Sequence, residues 1–162
     1  MQIVVMGVSG AGKTTVGQAL ARALGCAFLE GDEFHPPANV EKMRRGEPLT
    51  DADRAPWLDA LAAELAAYQA QGERCVLACS ALRRRYRDRL AAAAPCRFVA
   101  LDVPADELAR RLGRRAGHFM PAALLASQLA TLEPLGADEK GVVVTARGTV
   151  DETVAAVRAA LR

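Results

Sequence analysis

Near its start the chain runs Gly7-Val8-Ser9-Gly10-Ala11-Gly12-Lys13-Thr14, a full match to G-x-x-x-x-G-K-[ST]. No other stretch limits the possible folds so sharply. Its glycines let the backbone curl until successive N–H groups point inward at phosphate oxygens. The helix expected to start at Lys13 adds its N-terminal dipole to that cradle. Lys13 is then placed for the β- and γ-phosphates, and the Thr14 hydroxyl for Mg²⁺. An apolar run, IVVM (3–6), precedes the loop and a helical pattern, TTVGQALARAL, follows it. A strand–loop–helix unit of this kind opens an α/β domain. Gly7, Val8, Ser9, Gly10, Ala11, Gly12, Lys13, Thr14 and Thr15 are therefore expected to bind the nucleotide, ATP with Mg²⁺.

The rest of the chain keeps that rhythm. Strands are expected at 27–30, 74–80, 97–103 and 141–145, with helical patterns between them. Gly25 reads as the C-cap of the first helix, and Pro104 as a helix start. Alternation of this kind predicts a parallel sheet covered on both faces. With no repeat, linker or second boundary, residues 1–162 read as one domain. No apolar run approaches a membrane span, and the N-terminus lacks a basic lead and a cleavage site, so a cytoplasmic protein is expected. Cys26, Cys75, Cys79 and Cys96 form no C-x-x-C pair and read as buried thiols. Eighteen arginines face three lysines, yet net charge is only +2. That balance argues for local anion recognition and against a nucleic-acid partner.

What happens to the γ-phosphate is decided elsewhere. A regulatory GTPase needs a late N/T-K-x-D motif, and Lys140 sits in DEKGV, so the motif is missing. FVALD, ending at Asp102, resembles a motor-type metal motif, but Pro104 follows so closely that Asp102 reads as a strand end. A small kinase fits better. In FLEGDEFHPP, Asp32 falls just past the second strand, where a carboxylate can orient an acceptor hydroxyl and take its proton. Glu30, two residues earlier, points to the same side and is expected, with Thr14, to serve the metal.

With those residues in hand, the chain resembles the bacterial-type gluconokinase family of P-loop kinases over nearly its whole length. The resemblance rests on GVSGAGKT, FLEGDEFHPPANVEKMRRGEPLTDADRAPWL, ACSALRRRYRDRL, RRAGHF and LEPLGADE. It implies a nucleoside-monophosphate-kinase type of fold with a five-stranded parallel sheet and a mobile lid, here roughly 113–127. It also implies transfer of the ATP γ-phosphate to the 6-hydroxyl of D-gluconate, no membrane or nucleic-acid partner, and a homodimer. Two departures stand out: Glu30 where members often carry aspartate, and TARGTVDE, which matches the family only loosely.

A polyol with a carboxylate at one end needs a base, hydrogen-bonding groups and a cation. Asp32 supplies the base. His35 can contact a sugar hydroxyl, and Arg54, in the first turn after a capping box at Thr50, suits bidentate carboxylate pairing. Trp57 reads as a packing anchor ahead of a sugar platform. Ser80 lies at a strand's carboxyl end, and Arg83 and Arg87, four apart on an expected helix, are substrate or γ-phosphate candidates. Arg84, Arg85 and Arg89 read as a solvated face. Arg111 and Arg115 are the lid arginines expected at the nucleotide, Arg115 catalytically. His118 and Gln128 are expected to meet substrate on lid closure. The rivals are a kinase of another small hydroxy acid such as shikimate, and a nucleotide-gated binding protein.

Overall fold

The computed structural model describes residues 1–113 and 123–162. Most of the expected lid, with Arg115 and His118, lies outside them. Among the described residues five parallel strands, β1 (Gln2–Met6), β2 (Ala27–Glu30), β3 (Cys75–Ala78), β4 (Cys96–Asp102) and β5 (Gly141–Thr145), form one sheet in the order β2-β3-β1-β4-β5. The helices are α1 (Lys13–Leu24), α2 (Pro37–Arg44), α3 (Asp51–Ala70), α4 (Arg84–Ala93), α5 (Ala105–Gly113), α6 (Ala123–Thr131) and α7 (Val150–Ala160). None of the described helices is long and apolar enough to cross a membrane.

The period-two alternation of β1 divides the core. Ile3 and Val5 pack with Val16 and Leu20 of α1 and Val154 and Val157 of α7. Val4 and Met6 face the other way, onto Leu61 and Leu65 of α3 and Tyr86 and Leu90 of α4. Helices thus cover both faces. Each fully buried leucine, such as Leu20, Leu61 or Leu90, stabilises the fold by about 1.5–3 kcal/mol. Gly25 caps α1 as expected, with φ at 67°.

The strand order reverses about β1, which pairs with β3 on one side and β4 on the other. In open α/β sheets the crevice at such a reversal is where ligands bind. The loops leaving β1, β2, β3 and β5 all emerge at that edge. Asp102 is the last residue of β4 and is exposed, in keeping with a strand end.

The structure corrects the stretch after β3. Ala81 takes a left-handed φ of 44°, so the helix expected from there begins only at Arg84. Arg83 is the residue before it, in extended conformation, and shares no helical face with Arg87. Arg87 itself turns into the protein, its side chain 1% exposed. It pairs with Glu139 through two bonds of 2.6 and 3.0 Å and donates to the carbonyls of Ala81 and Pro134. Its donors are spent on the fold, and it lines neither cavity described below. Arg87 is a structural residue, not a ligand of substrate or phosphate. Arg84, Arg85 and Arg89 are exposed and pair with Asp138, Asp51 and Asp59, as a solvated face does.

Candidate active site

The first functional element is the loop from β1 to α1. Gly12 precedes α1 with φ at +94°, a conformation that L side chains rarely adopt. No side chain caps the helix, so its first N–H groups remain for a ligand. Ser9 to Thr15 line a cleft of about 460 Å³. Gly7 and Val8 do not line it: Gly7 approaches the Leu101 carbonyl, and Val8 is buried. They shape the loop from beneath. Lys13 donates from Nζ to the Val8 carbonyl at 2.9 Å, which holds the ammonium over its own cradle.

Arg111 walls the cleft from α5. Its Nη1 donates to the carbonyls of Gly10 and Ala11, Nη2 to the Ala146 carbonyl at 2.9 Å, and Nε to Glu107 at 3.1 Å. Most of its donors are committed to the protein, so Arg111 is a fixed part of the cleft wall. Ala146, which takes that Nη2 bond, and Gly148, Val150 and Thr153 also line the cleft. The first three fall in TARGTVDE, the segment that matches the family only loosely, and Thr153 lies just beyond it. Their place beyond the carboxyl end of β5 was the available signal.

The metal candidates come together. The Thr14 hydroxyl donates to Glu30 Oε2, beside the phosphate cradle. Burial pushes the Glu30 carboxyl up, against the pull of the Thr14 bond, and the charge of Asp32 adds to the rise. Among the described residues no three His, Cys, Asp or Glu side chains cluster as a metal cage would require. A hydroxyl and one carboxylate suit Mg²⁺, which keeps most of its ligands as water and phosphate.

Beyond β2 the chain makes a 3-10 turn, Gly31–Phe34, with the Glu30 side chain accepting from the Asp32 N–H at 3.3 Å. Gly31 is needed because an added Cβ would lie 2.4 Å from the Ala78 carbonyl oxygen. The Trp57 indole N–H then holds the Gly31 carbonyl at 2.8 Å. His35 stacks on that indole, rings 4.3 Å apart and 11° from parallel. Trp57 is 1% exposed and is the packing anchor expected, while its ring also backs the second cavity. Gly31→Ala is expected to lower unfolding free energy by about 1–3 kcal/mol, since backbone must move to admit the methyl group. Urea denaturation measures this, and an unchanged midpoint would mean that the β2–β3 edge yields freely.

The second cavity, about 50 Å³, lies beside the first and is lined by Asp32, His35, Arg54, Ser80 and Gln128 among others. Ser9, Lys13 and Asp32 line both. Arg54 donates to the Tyr86 hydroxyl at 3.0 Å, and that hydroxyl donates to Asp51. The guanidinium is thus aimed by Tyr86, which lies within the arginine run. Gln128, from α6, accepts the Ser9 N–H at 2.7 Å and links that helix to the phosphate loop. Arg83 lies outside the lining, but its Nε is buried with no partner among the described residues. A buried orphan donor of that kind is costly unless a ligand meets it.

A family profile described as an AAA domain matches residues 3–135. A sugar kinase of Janibacter sp. HTCC2649 superposes with a TM-score of 0.94 at 46% identity, covering 99% of this chain and 93% of that one. A gluconokinase of Sinorhizobium meliloti 1021 gives a TM-score of 0.89 at 48% identity, covering 99% and 90%. The gluconokinase of Gluconobacter oxydans (strain 621H) is 58% identical over 144 residues, which are 88% of this chain and 81% of that protein. Identity of that extent, over a sheet and a phosphate loop that superpose on solved kinases, places this chain in the gluconokinase family.

Proposed function

We propose that the protein transfers the γ-phosphate of ATP to the 6-hydroxyl of D-gluconate, giving 6-phospho-D-gluconate and ADP. One observation carries the reading: the nucleotide cleft and the smaller cavity meet at Lys13 and Asp32. A phosphoryl group leaving the cradle would cross there to reach an acceptor.

Asp32 aligns the acceptor hydroxyl and receives its proton as the oxygen attacks. Lys13 meets the charge on the transferring group, and the loop N–H groups hold the β-phosphate. Thr14 and Glu30 would hold Mg²⁺, which would neutralise phosphate charge during the transfer. Arg54 and Arg83 are the cations for the gluconate carboxylate, while His35, Ser80 and Gln128 serve its hydroxyls. Arg115 and His118 are assigned to the lid, and a homodimer is proposed, on the family resemblance; a cytoplasmic location is part of the same proposal. A cavity of about 50 Å³ accommodates a few waters and not a six-carbon acid. Occupation therefore draws on the space shared with the nucleotide cleft at Ser9, Lys13 and Asp32, or on movement of the cavity wall.

The test is ADP release with ATP and Mg²⁺ across sugar acids, sugars and shikimate. Strong stimulation by gluconate alone is expected. Stimulation by shikimate instead would overturn the substrate, and none by any acceptor would leave a nucleotide-gated binder.

A further inference from the structure

Asn39 lies on α2 and is 4% exposed. Its Nδ2 donates to the backbone carbonyl of Asp53 at 2.8 Å and lies 3.2 Å from His35 Nδ1. A carbonyl oxygen only accepts, so the amide is oriented with its NH₂ toward both partners. One hydrogen serves Asp53 and the other serves His35. Nδ1 of His35 must then be the accepting nitrogen, and the ring proton sits on Nε2.

The support behind Asn39 is rigid. Asp53 closes a capping box with Thr50, through bonds of 2.8 and 3.1 Å, and its carboxylate takes the Lys42 ammonium at 2.7 Å. Lys42 and Asn39 both come from α2, so that helix grips the first turn of α3 at two points. The imidazole is held on its other side by the Trp57 ring. Nε2 has no protein partner among the described residues, and His35 lines the acceptor cavity.

We infer that Asn39 is a positioning residue for the acceptor, fixing His35 in the Nε2–H tautomer so that the cavity wall offers a neutral hydrogen-bond donor to a substrate oxygen. This rests on the acceptor cavity assigned above, but not on gluconate being its occupant. Its chemical consequence is selectivity. A hydroxyl or carboxylate oxygen supplies the lone pair that Nε2–H requires, whereas an ammonium or a missing oxygen at that point leaves the donor unmet.

The charged surroundings agree with a neutral ring. Burial lowers the His35 pKa to about 4; Asp32 on the 3-10 turn opposes the shift and Arg54 of α3 reinforces it. Lys13 and Glu47 also line the cavity, and Lys42 is neutralised by Asp53. His35 thus stays uncharged as pH falls through 6.5, the ordinary histidine value.

The chain contains two histidines, so ring-¹⁵N-labelled protein yields a simple spectrum, and the signal lost in His35→Gln assigns the ring. The expected wild-type result at neutral pH is a protonated Nε2 and an unprotonated Nδ1, with no titration near pH 6.5. Asn39→Asp replaces the donor with an acceptor, so the proton is expected to move to Nδ1 and the His35 pKa to rise. With whichever acceptor stimulates ADP release, its KM should rise about tenfold or more while kcat changes less. An Nδ1–H or imidazolium ring in the wild-type protein would overturn the inference, whether or not the variant folds. So would a folded Asn39→Asp protein with unchanged tautomer and KM. Failure of gluconate to stimulate would leave the wild-type spectrum as expected, which separates this inference from the substrate assignment.

Discussion

Asp32→Asn is expected to turn over at least about a hundredfold more slowly than the parent while binding ATP with nearly the same affinity. The substitution keeps shape and removes the only function that chemistry at this position requires, a carboxylate able to take the acceptor proton. General-base contributions run at roughly 10²–10⁴ in rate. ATP affinity should hold because, on the proposed reading, the loop N–H groups, Lys13 and the wall at Arg111 hold the nucleotide, while Asp32 only borders that cleft. Stability separates lost chemistry from lost fold. The Asp32 charge raises the Glu30 pKa across a shared turn, so the neutral amide relieves a like-charge contact. The thermal midpoint should therefore stay level or rise slightly. Calorimetric ATP titration, a melting curve and steady-state ADP release together make the test. A variant with parental kcat would remove Asp32 from the mechanism, and one that has lost ATP binding would move its role to the nucleotide.

The sheet and the phosphate loop were legible because their signals are local. IVVM, the glycine spacing and Lys13-Thr14 sit within a dozen residues, and each constrains backbone geometry directly. The Glu30–Asp32 pair was legible for the same reason, since its address follows from the end of β2. Helix α2 was not. Its buried residues, Asn39 and Met43, leave almost no apolar stripe to detect, yet it supplies Asn39 and Lys42. The face shared by Arg83 and Arg87 was misread because i, i+4 arithmetic assumes an unbroken helix, and Ala81 at φ 44° delays its start. The wall at Ala146, Gly148 and Val150 comes from small residues in a loop with no motif. Arg87 was misassigned for a different reason: its partner Glu139 lies 52 residues away, and no local pattern reports that distance.

That pairing sets the second large effect. Arg87→Met is expected to destabilise the fold by about 3–5 kcal/mol, the range for removing one partner of a buried ion pair. The side chains of Arg87 and Glu139 are 1% and 5% exposed, so a lone Glu139 carboxylate would have no water to replace the guanidinium. Glu139 Oε2 would keep the Gly136 N–H at 2.6 Å, which offsets only part of the loss. The carbonyls of Ala81 and Pro134 would lose a donor as well. For a chain of this size the midpoint should fall by about 10 °C. Glu139→Gln should cost less, because a neutral amide can still accept from Arg87. Acid acts on the same pair. The Arg87 hydrogen bond holds the Glu139 carboxyl below its ordinary value of 4.5. Its contribution is complete above pH 4.5 and is lost as pH falls through the depressed pKa. Arg87→Met should therefore flatten part of the acid limb of the stability curve. Because Arg87 lines neither cavity, the folded variant should keep its acceptor KM within about threefold, a loss no larger than one weak hydrogen bond. A tenfold rise in KM with an unchanged midpoint would instead make Arg87 a ligand, and the ion pair with Glu139 a contact that substrate displaces.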